Sequence, residues 1–141
     1  MRLGDGEARA RLAAHDHGIL CTVHPERGVD AVPCAYVVDE DGYVGVPVDT
    51  VKPKASSRLQ RERNLEADPR ATLLVEHWDR DEWSRLWWVR AELRSQDDAG
   101  ERIAALSVAL AGRYPQYRDQ PFTRVLVLRI IGVTGWAASG T

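Results

Sequence analysis

The stretch ILCTVHPERGVDAVPCAYVVDEDGYVGVPV, residues 19–48, decides the fold. Ile19 to His24 reads as a strand, with Ile19, Cys21 and Val23 sharing one apolar face. Pro25-Glu26-Arg27-Gly28 is a turn. Val29 to Val38 is a second extended segment, and Pro33 marks it as an edge or a bulge because proline cannot donate to a ladder. Asp39-Glu40-Asp41-Gly42 closes a hairpin, its glycine supplying the positive φ that such turns need. Tyr43 to Val48 follows as a third strand. Links this short join antiparallel neighbours, since a parallel crossover needs about a dozen residues or more. The three strands are expected to form a meander.

Working outward, Asp5 to Ala14 is rich in Ala, Arg and Glu and reads as a helix with Leu12 and Ala13 inward. Ser56 to Ala67 has helical spacing, with Ser56 or Ser57 as cap and Pro69 beyond its end. Thr72 to Trp78 and Leu86 to Arg94 read as fourth and fifth strands around a charged loop. A third helix runs from Asp97 or Asp98 to about Ala111, its apolar side formed by Ile103, Leu106, Val108 and Leu110. Val125 to Val133 is a sixth strand, apolar on both faces except at Arg129 and so expected to be buried on both. Six strands and three modest helices predict a mainly β chain with some α: an antiparallel barrel or strongly curved sheet flanked by short helices.

At 141 residues the chain has the length of one domain, 1–141. Its 44% hydrophobic and 28% charged residues are those of a globular protein rather than a disordered one. No apolar run approaches the ~20 residues of a membrane helix, and no apolar stretch follows the acidic, glycine-containing start. A cytoplasmic location is therefore expected, with no membrane partner and with Cys21 and Cys34 as free thiols.

Charge is unevenly placed. The net charge is −2, yet Lys52, Lys54, Arg58, Arg61 and Arg63 face a single acid, Glu62, between residues 52 and 63. A concentrated basic patch on an acidic chain points to a local anionic ligand. Phosphate oxygens suit it: arginine offers a fork of charge-assisted donors, and a helix start adds backbone N–H groups. Arg58 and Arg61 lie three apart on one helix face, and Lys52 and Lys54 point the same way if the chain is extended. The alternative is a solvated helix with surface ion pairs, which the residues alone leave open. A nucleic-acid platform would interleave aromatics with the basic residues, and residues 52–70 contain none.

Three blocks carry a resemblance: Lys52-Pro53-Lys54; then Arg61-x-Arg63-Asn64-Leu65-x-x-Asp68-Pro69-Arg70-Ala71-Thr72; then Leu86-Trp87-Trp88-Val89-Arg90. In this order they resemble the flavin/deazaflavin split β-barrel superfamily related to pyridoxamine 5′-phosphate oxidase, and most of all its actinobacterial coenzyme F420-dependent oxidoreductases. The resemblance covers about residues 5–138. It implies a six-stranded Greek-key split barrel, a homodimer with cofactor at the interface, and a phosphate held between the third strand and the next helix. Matched block to block, Lys54 and Arg61 fall on the phosphate-binding positions, with Arg58 as the rival of Arg61 and Lys52 as an additional basic group. The implied function is hydride transfer between coenzyme F420 and a small organic acceptor. FMN-dependent oxidation or reduction, or a non-catalytic carrier, stand as alternatives.

Trp78, Trp83, Trp87 and Trp88 cluster within a short span. Alternation places Trp87 with Val89, Ala91 and Leu93 on a core-like face, and Trp88 with Arg90, Glu92 and Arg94 on a polar one. Trp88 is thus the candidate for an interface or for the wall of a flat-ring pocket. Tyr36 is read as packing rather than as a proton donor. Cys21 and His24 point to opposite faces of a strand and cannot share an ion, and His15-Asp16-His17 reads as a solvated loop, so no metal site is expected. No catalytic residue is assigned.

Overall fold

The structure, a computed structural model, describes residues 1–49, 59–98 and 100–139. Seven antiparallel strands form one curved sheet in the order β2-β1-β5-β6-β7-β4-β3. They span β1 Gly18–His24, β2 Gly28–Cys34, β3 Val37–Val38, β4 Tyr43–Asp49, β5 Arg70–His77, β6 Trp87–Ser95 and β7 Phe122–Ala137. Three helices accompany them: α1 Asp5–Ala14, α2 Gln60–Ala67 and α3 Gly100–Arg113.

The expected six strands are seven because the segment from Val29 to Val38 divides. β2 pairs with β1 at one edge of the sheet, and β3 pairs with β4 at the other. The division falls at Ala35 and Tyr36. There the Tyr114 hydroxyl accepts the Tyr36 N–H (3.4 Å) and shares its one proton between the carbonyls of Tyr36 (2.8 Å) and Asp16, so a side chain takes the place of a strand partner. The anticipated meander is thus two hairpins on opposite edges, and residues 35–36 carry the chain across the split between them. The hairpin turn at 39–42 forms as read: Gly42 has φ 85°, and Asp39 Oδ1 accepts the N–H groups of Asp41 and Tyr43 at 2.9 Å.

The inner face of the sheet is aliphatic. Leu20, Leu73, Val75, Val89, Ala91 and Leu93 are buried there and pack on Ala8 and Leu12 of α1. The inward residue beside Leu12 is therefore Ala8, one turn earlier, while Ala13 is exposed. The parity of β1 is the reverse of expectation: Gly18, Leu20 and Thr22 are buried, and Ile19, Cys21 and Val23 lie half-buried on the outer face. Gly18 accounts for part of this, since a Cβ there would meet Leu73 Cδ1 and the Leu74 carbonyl at 2.9 Å.

A second core lies under α3, where Leu106 and Leu110 pack on Val37, Val125 and Val127. Val108, expected on this stripe, is 64% exposed; Ser107 takes the inward place and donates to the Ile103 carbonyl at 2.8 Å. β7 is longer than expected and pairs with β4 and β6 in turn. It buries Val125, Val127 and Leu128 but exposes Ile131, so it is not covered on both faces throughout. Among the described residues no helix is long and apolar enough to cross a membrane.

Candidate functional site

The basic candidates divide by what the structure describes. Lys52, Lys54 and Arg58 lie outside the described residues, as do the cap candidates Ser56 and Ser57. Arg61 is described, in the first turn of α2, whose N-cap position is Leu59.

Two buried polar residues hold α2 in place. Asn64, fully buried, donates through Nδ2 to Thr22 Oγ1 (3.0 Å) on β1 and to Asp30 Oδ2 (2.9 Å) on β2. Glu62, 4% exposed, accepts the Leu59 N–H at 3.0 Å and pairs with Arg124 of β7, whose Nη2 lies 2.9 Å from Oε1. The helix is therefore tied to both sides of the barrel, and Leu65 enters the core beside it. Neither tie was read from the sequence. In the sequence Asn64 stands only as part of a motif, and Glu62 only as the single acid among the basic residues.

Because Glu62 is committed to Arg124, Arg61 keeps its charge. Its guanidinium is half-buried; Nη2 donates weakly to the Pro47 carbonyl of β4 at 3.4 Å, and Nε is buried with no acceptor. Among the described residues no carboxylate pairs with it. A buried, unsatisfied guanidinium N–H costs free energy until an acceptor arrives. An oxyanion held there would gain charge-assisted hydrogen bonds. Cys34 and Tyr36, where β2 ends and just beyond it, are inert. Burial pushes the Cys34 thiol up to about 11, against the pull of Arg61. Tyr36 is fully buried, donates to the Leu12 carbonyl, and is pushed above its ordinary pKa by burial. Neither is poised to exchange a proton at neutral pH, which agrees with reading Tyr36 as packing.

Trp88 is elsewhere. α2 and Arg61 sit on the face of β1 that carries Thr22, whereas Trp88 stands on the outer face of β6. β6 is two strands from β1, about 10 Å across the sheet. Among the described residues, Arg61 and Trp88 thus stand on opposite faces of the sheet. Trp88 lines a shallow apolar cleft with Leu74, Trp78, Leu86 and Trp87, and the Arg90 guanidinium stands 5.3 Å from its ring. Trp136 of β7 is its cross-strand partner. The parity read for this pair holds, with Trp87 packed against the core and Trp88 outside.

Other candidates are engaged structurally. His24 Nδ1 accepts the N–H groups of Glu26 and Arg27 at 3.0 Å and organises the β1–β2 turn. Arg70 grips Asp68 at 2.7 Å in an exposed pair that holds the Asp68 carboxyl at about 2.

No protein-family model matches the chain, and no curated protein does. Solved structures do match. A FAD-binding protein from Mesorhizobium loti superposes with a TM-score of 0.70 at 16% identity, over 96% of this chain and 93% of its own. A heme-binding protein from Mycobacterium smegmatis gives 0.72 at 20% identity, over 96% of this chain and 54% of its own. A pyridoxamine 5′-phosphate oxidase-like protein from Corynebacterium glutamicum gives 0.57 at 15%, over 96% and 90%. Identities this low speak for the fold alone: a mainly β, antiparallel split barrel of the kind found in flavin-binding, heme-binding and pyridoxamine 5′-phosphate oxidase-like proteins.

Proposed function

We propose that the chain binds a phosphate-bearing flavin-type cofactor, coenzyme F420 before FMN, and works in the cytoplasm as an oxidoreductase on a small organic acceptor. The observation that carries this reading is Arg61: a half-buried guanidinium, unpaired by acid among the described residues and with an orphaned Nε, at the start of a helix locked in place by Asn64 and Glu62. Its chemistry fits a phosphate. Lys52, Lys54 and Arg58 precede it in sequence and would add positive charge, favouring the longer acidic tail of the deazaflavin over FMN. The bound ring would supply the hydride chemistry; the protein's part is to hold and orient it and to exclude water. The inert Cys34 thiol near Arg61 suits that division of labour.

The reading includes a homodimer. The outer sheet face, with Ile19, Leu74, Trp88 and Trp136, is covered by a second copy, and Trp88 lines the ring of a cofactor whose phosphate the other protomer holds.

The test is a side-by-side fluorescence titration with FMN and coenzyme F420. Arg61→Ala should weaken the preferred cofactor by roughly ten- to a hundred-fold, as expected when one or two charge-assisted bonds are lost. Arg70→Ala, already paired with Asp68, should leave affinity unchanged. Equal binding by Arg61→Ala and the parent would remove the phosphate site. Tight binding with no turnover on any acceptor would leave a carrier.

A further inference from the structure

We infer that His15, Asp16 and His17, at the junction of α1 and β1, form a binding site for a divalent late first-row metal ion such as zinc. One ligand atom from each of the three residues lies within 4.8 Å of the others. His17 Nδ1 and Asp16 Oδ1 are already 3.2 Å apart. The His15 and His17 rings are stacked, with centroids 5.8 Å apart and planes at 27°. A tetrahedral ion at about 2.0–2.1 Å from each ligand needs ligand atoms about 3.3 Å apart, so the Asp16–His17 pair already has that spacing and the rest of the set must draw in by at most about 1.5 Å. Two imidazoles and one carboxylate suit zinc and its neighbours rather than calcium or magnesium, which take oxygen ligands.

The side chains of Asp16 and His17 are solvated, but the backbone of the loop is tied down. Arg113, at the end of α3, donates to three successive carbonyls: Ala13 (3.0 Å), Ala14 (2.9 Å) and His15 (2.6 Å). The Tyr114 hydroxyl lies against the Asp16 carbonyl. Gly18, immediately after the trio, is buried beside β5, where a Cβ would meet Leu73 Cδ1 and the Leu74 carbonyl at 2.9 Å. His15 also meets the edge of the Trp87 ring, 5.4 Å between centroids. The backbone that presents the ligands is therefore held on both sides, which lowers the ordering cost of binding.

Exposure and charge set the strength. Asp16 and His17 are about three-quarters and two-thirds exposed, 76% and 68%, leaving coordination positions open to water. Glu76 and His77 also face His15. The guanidinium of Arg113 holds the loop, and that of Arg11 stands 5.2 Å from the Trp87 ring. The Arg113 cation opposes a divalent ion, whereas Arg11 is paired with Glu7 at 2.8 Å.

Calorimetric titration of the chain, carrying no histidine tag, with zinc chloride tests this independently of any flavin. One ion per chain is expected, and cobalt at the same site should give the visible absorption of a low-coordinate complex. His17→Ala and His15→Ala should each weaken zinc by about ten-fold or more, and Asp16→Asn by less. His24→Ala, whose ring serves a distant turn, should change nothing. His17 is exposed, so its variant should keep the parent's circular dichroism and metal-free melting temperature. The proposal is overturned by an absence of saturable binding, or by unchanged zinc affinity in a folded His15→Ala/His17→Ala double variant.

Discussion

The two faces of the sheet are made by the same strands and differ in almost every respect. Along β5 and β6, the inner residues Leu73, Val75, Val89, Ala91 and Leu93 are aliphatic and essentially inaccessible. Their neighbours one position along, Thr72, Leu74, Glu76, Trp88, Arg90 and Glu92, mix apolar and charged groups and are half-buried or exposed. One chain thus completes one face only. The inner face carries stability, and the outer face, with Leu74, Trp88 and Trp136 among its charges, carries what the chain meets.

The largest test of that contrast is on the inner face. Leu93→Ala should cost about 2–5 kcal/mol, because a fully buried leucine leaves a cavity that its strand neighbours cannot fill. Val29→Ala on the outer face, where Val29 is 70% exposed, should stay within about 0.5 kcal/mol. Urea unfolding of both variants measures the difference, and comparable losses would erase the distinction between faces.

Next comes Leu74→Glu, which puts a charge opposite Arg90 into the apolar cleft that Trp78 and Trp88 line on the outer face. It should weaken self-association by roughly ten- to a hundred-fold while leaving the fold intact. Sedimentation velocity reads this directly. A parent protein that sediments as a 15.8 kDa species at low micromolar concentration would show the outer face to be uncovered by a second copy.

The thiols sharpen the same comparison. Cys34 packs against the inner core with its pKa pushed up to about 11, and Cys21, on the outer face, is raised less, in both cases by burial. Both are protonated at neutral pH, and the thiolate is the reactive form. Labelling of Cys34 should therefore accelerate about ten-fold per pH unit from pH 8 upward without levelling off before about 11. Cys21 should react faster and be protected as protein concentration rises. The reverse order of reactivity would mean that the parity of β1 is wrong.

The smallest effect belongs to Asp68. Its carboxyl is held at about 2 by the Arg70 side chain, below an unfolded value of about 3.9. The contribution is complete above that unfolded value and is lost as pH falls through about 2. The pair is exposed, so Asp68→Asn should flatten the acid limb of the stability curve only slightly. A large change at neutral pH would contradict its surface placement.

The strands were legible where one face is polar. In β6 the alternation of Trp87, Val89, Ala91 and Leu93 with Trp88, Arg90, Glu92 and Arg94 leaves one choice of parity, and it is the one found. In β1 both faces are nearly apolar, so Ile19-Cys21-Val23 and Leu20-Thr22 compete evenly. Packing decides between them, through Gly18 against β5 and Asn64 on Thr22. The break at Ala35 and Tyr36 was illegible for a related reason: the partner that replaces the ladder there, Tyr114, is far away in sequence. At the candidate site, Arg61 was visible from charge alone. Its freedom from Glu62 was not, because that depends on Arg124 arriving from β7. Trp88 was placed on the right face, but sequence offered no means of seeing that this face looks away from Arg61.

The crossing at Ala35 and Tyr36 bears on how the chain tolerates being cut. β2 and β3 stand at opposite ends of the strand order, and the two residues between them are the covalent seam of the split. New termini opened in the exposed loop around Arg80 and Asp81 would interrupt one hairpin and leave both sheet edges joined. New termini opened at the seam would free the two edges to part, leaving the Tyr36 contacts with Leu12 and Tyr114 and the side-chain ties of α2 to reunite them. A circular permutant of the first kind should refold as one cooperative unit. One of the second kind would behave as an open sheet, with β2 and β3 as loose flaps available to another copy of the chain.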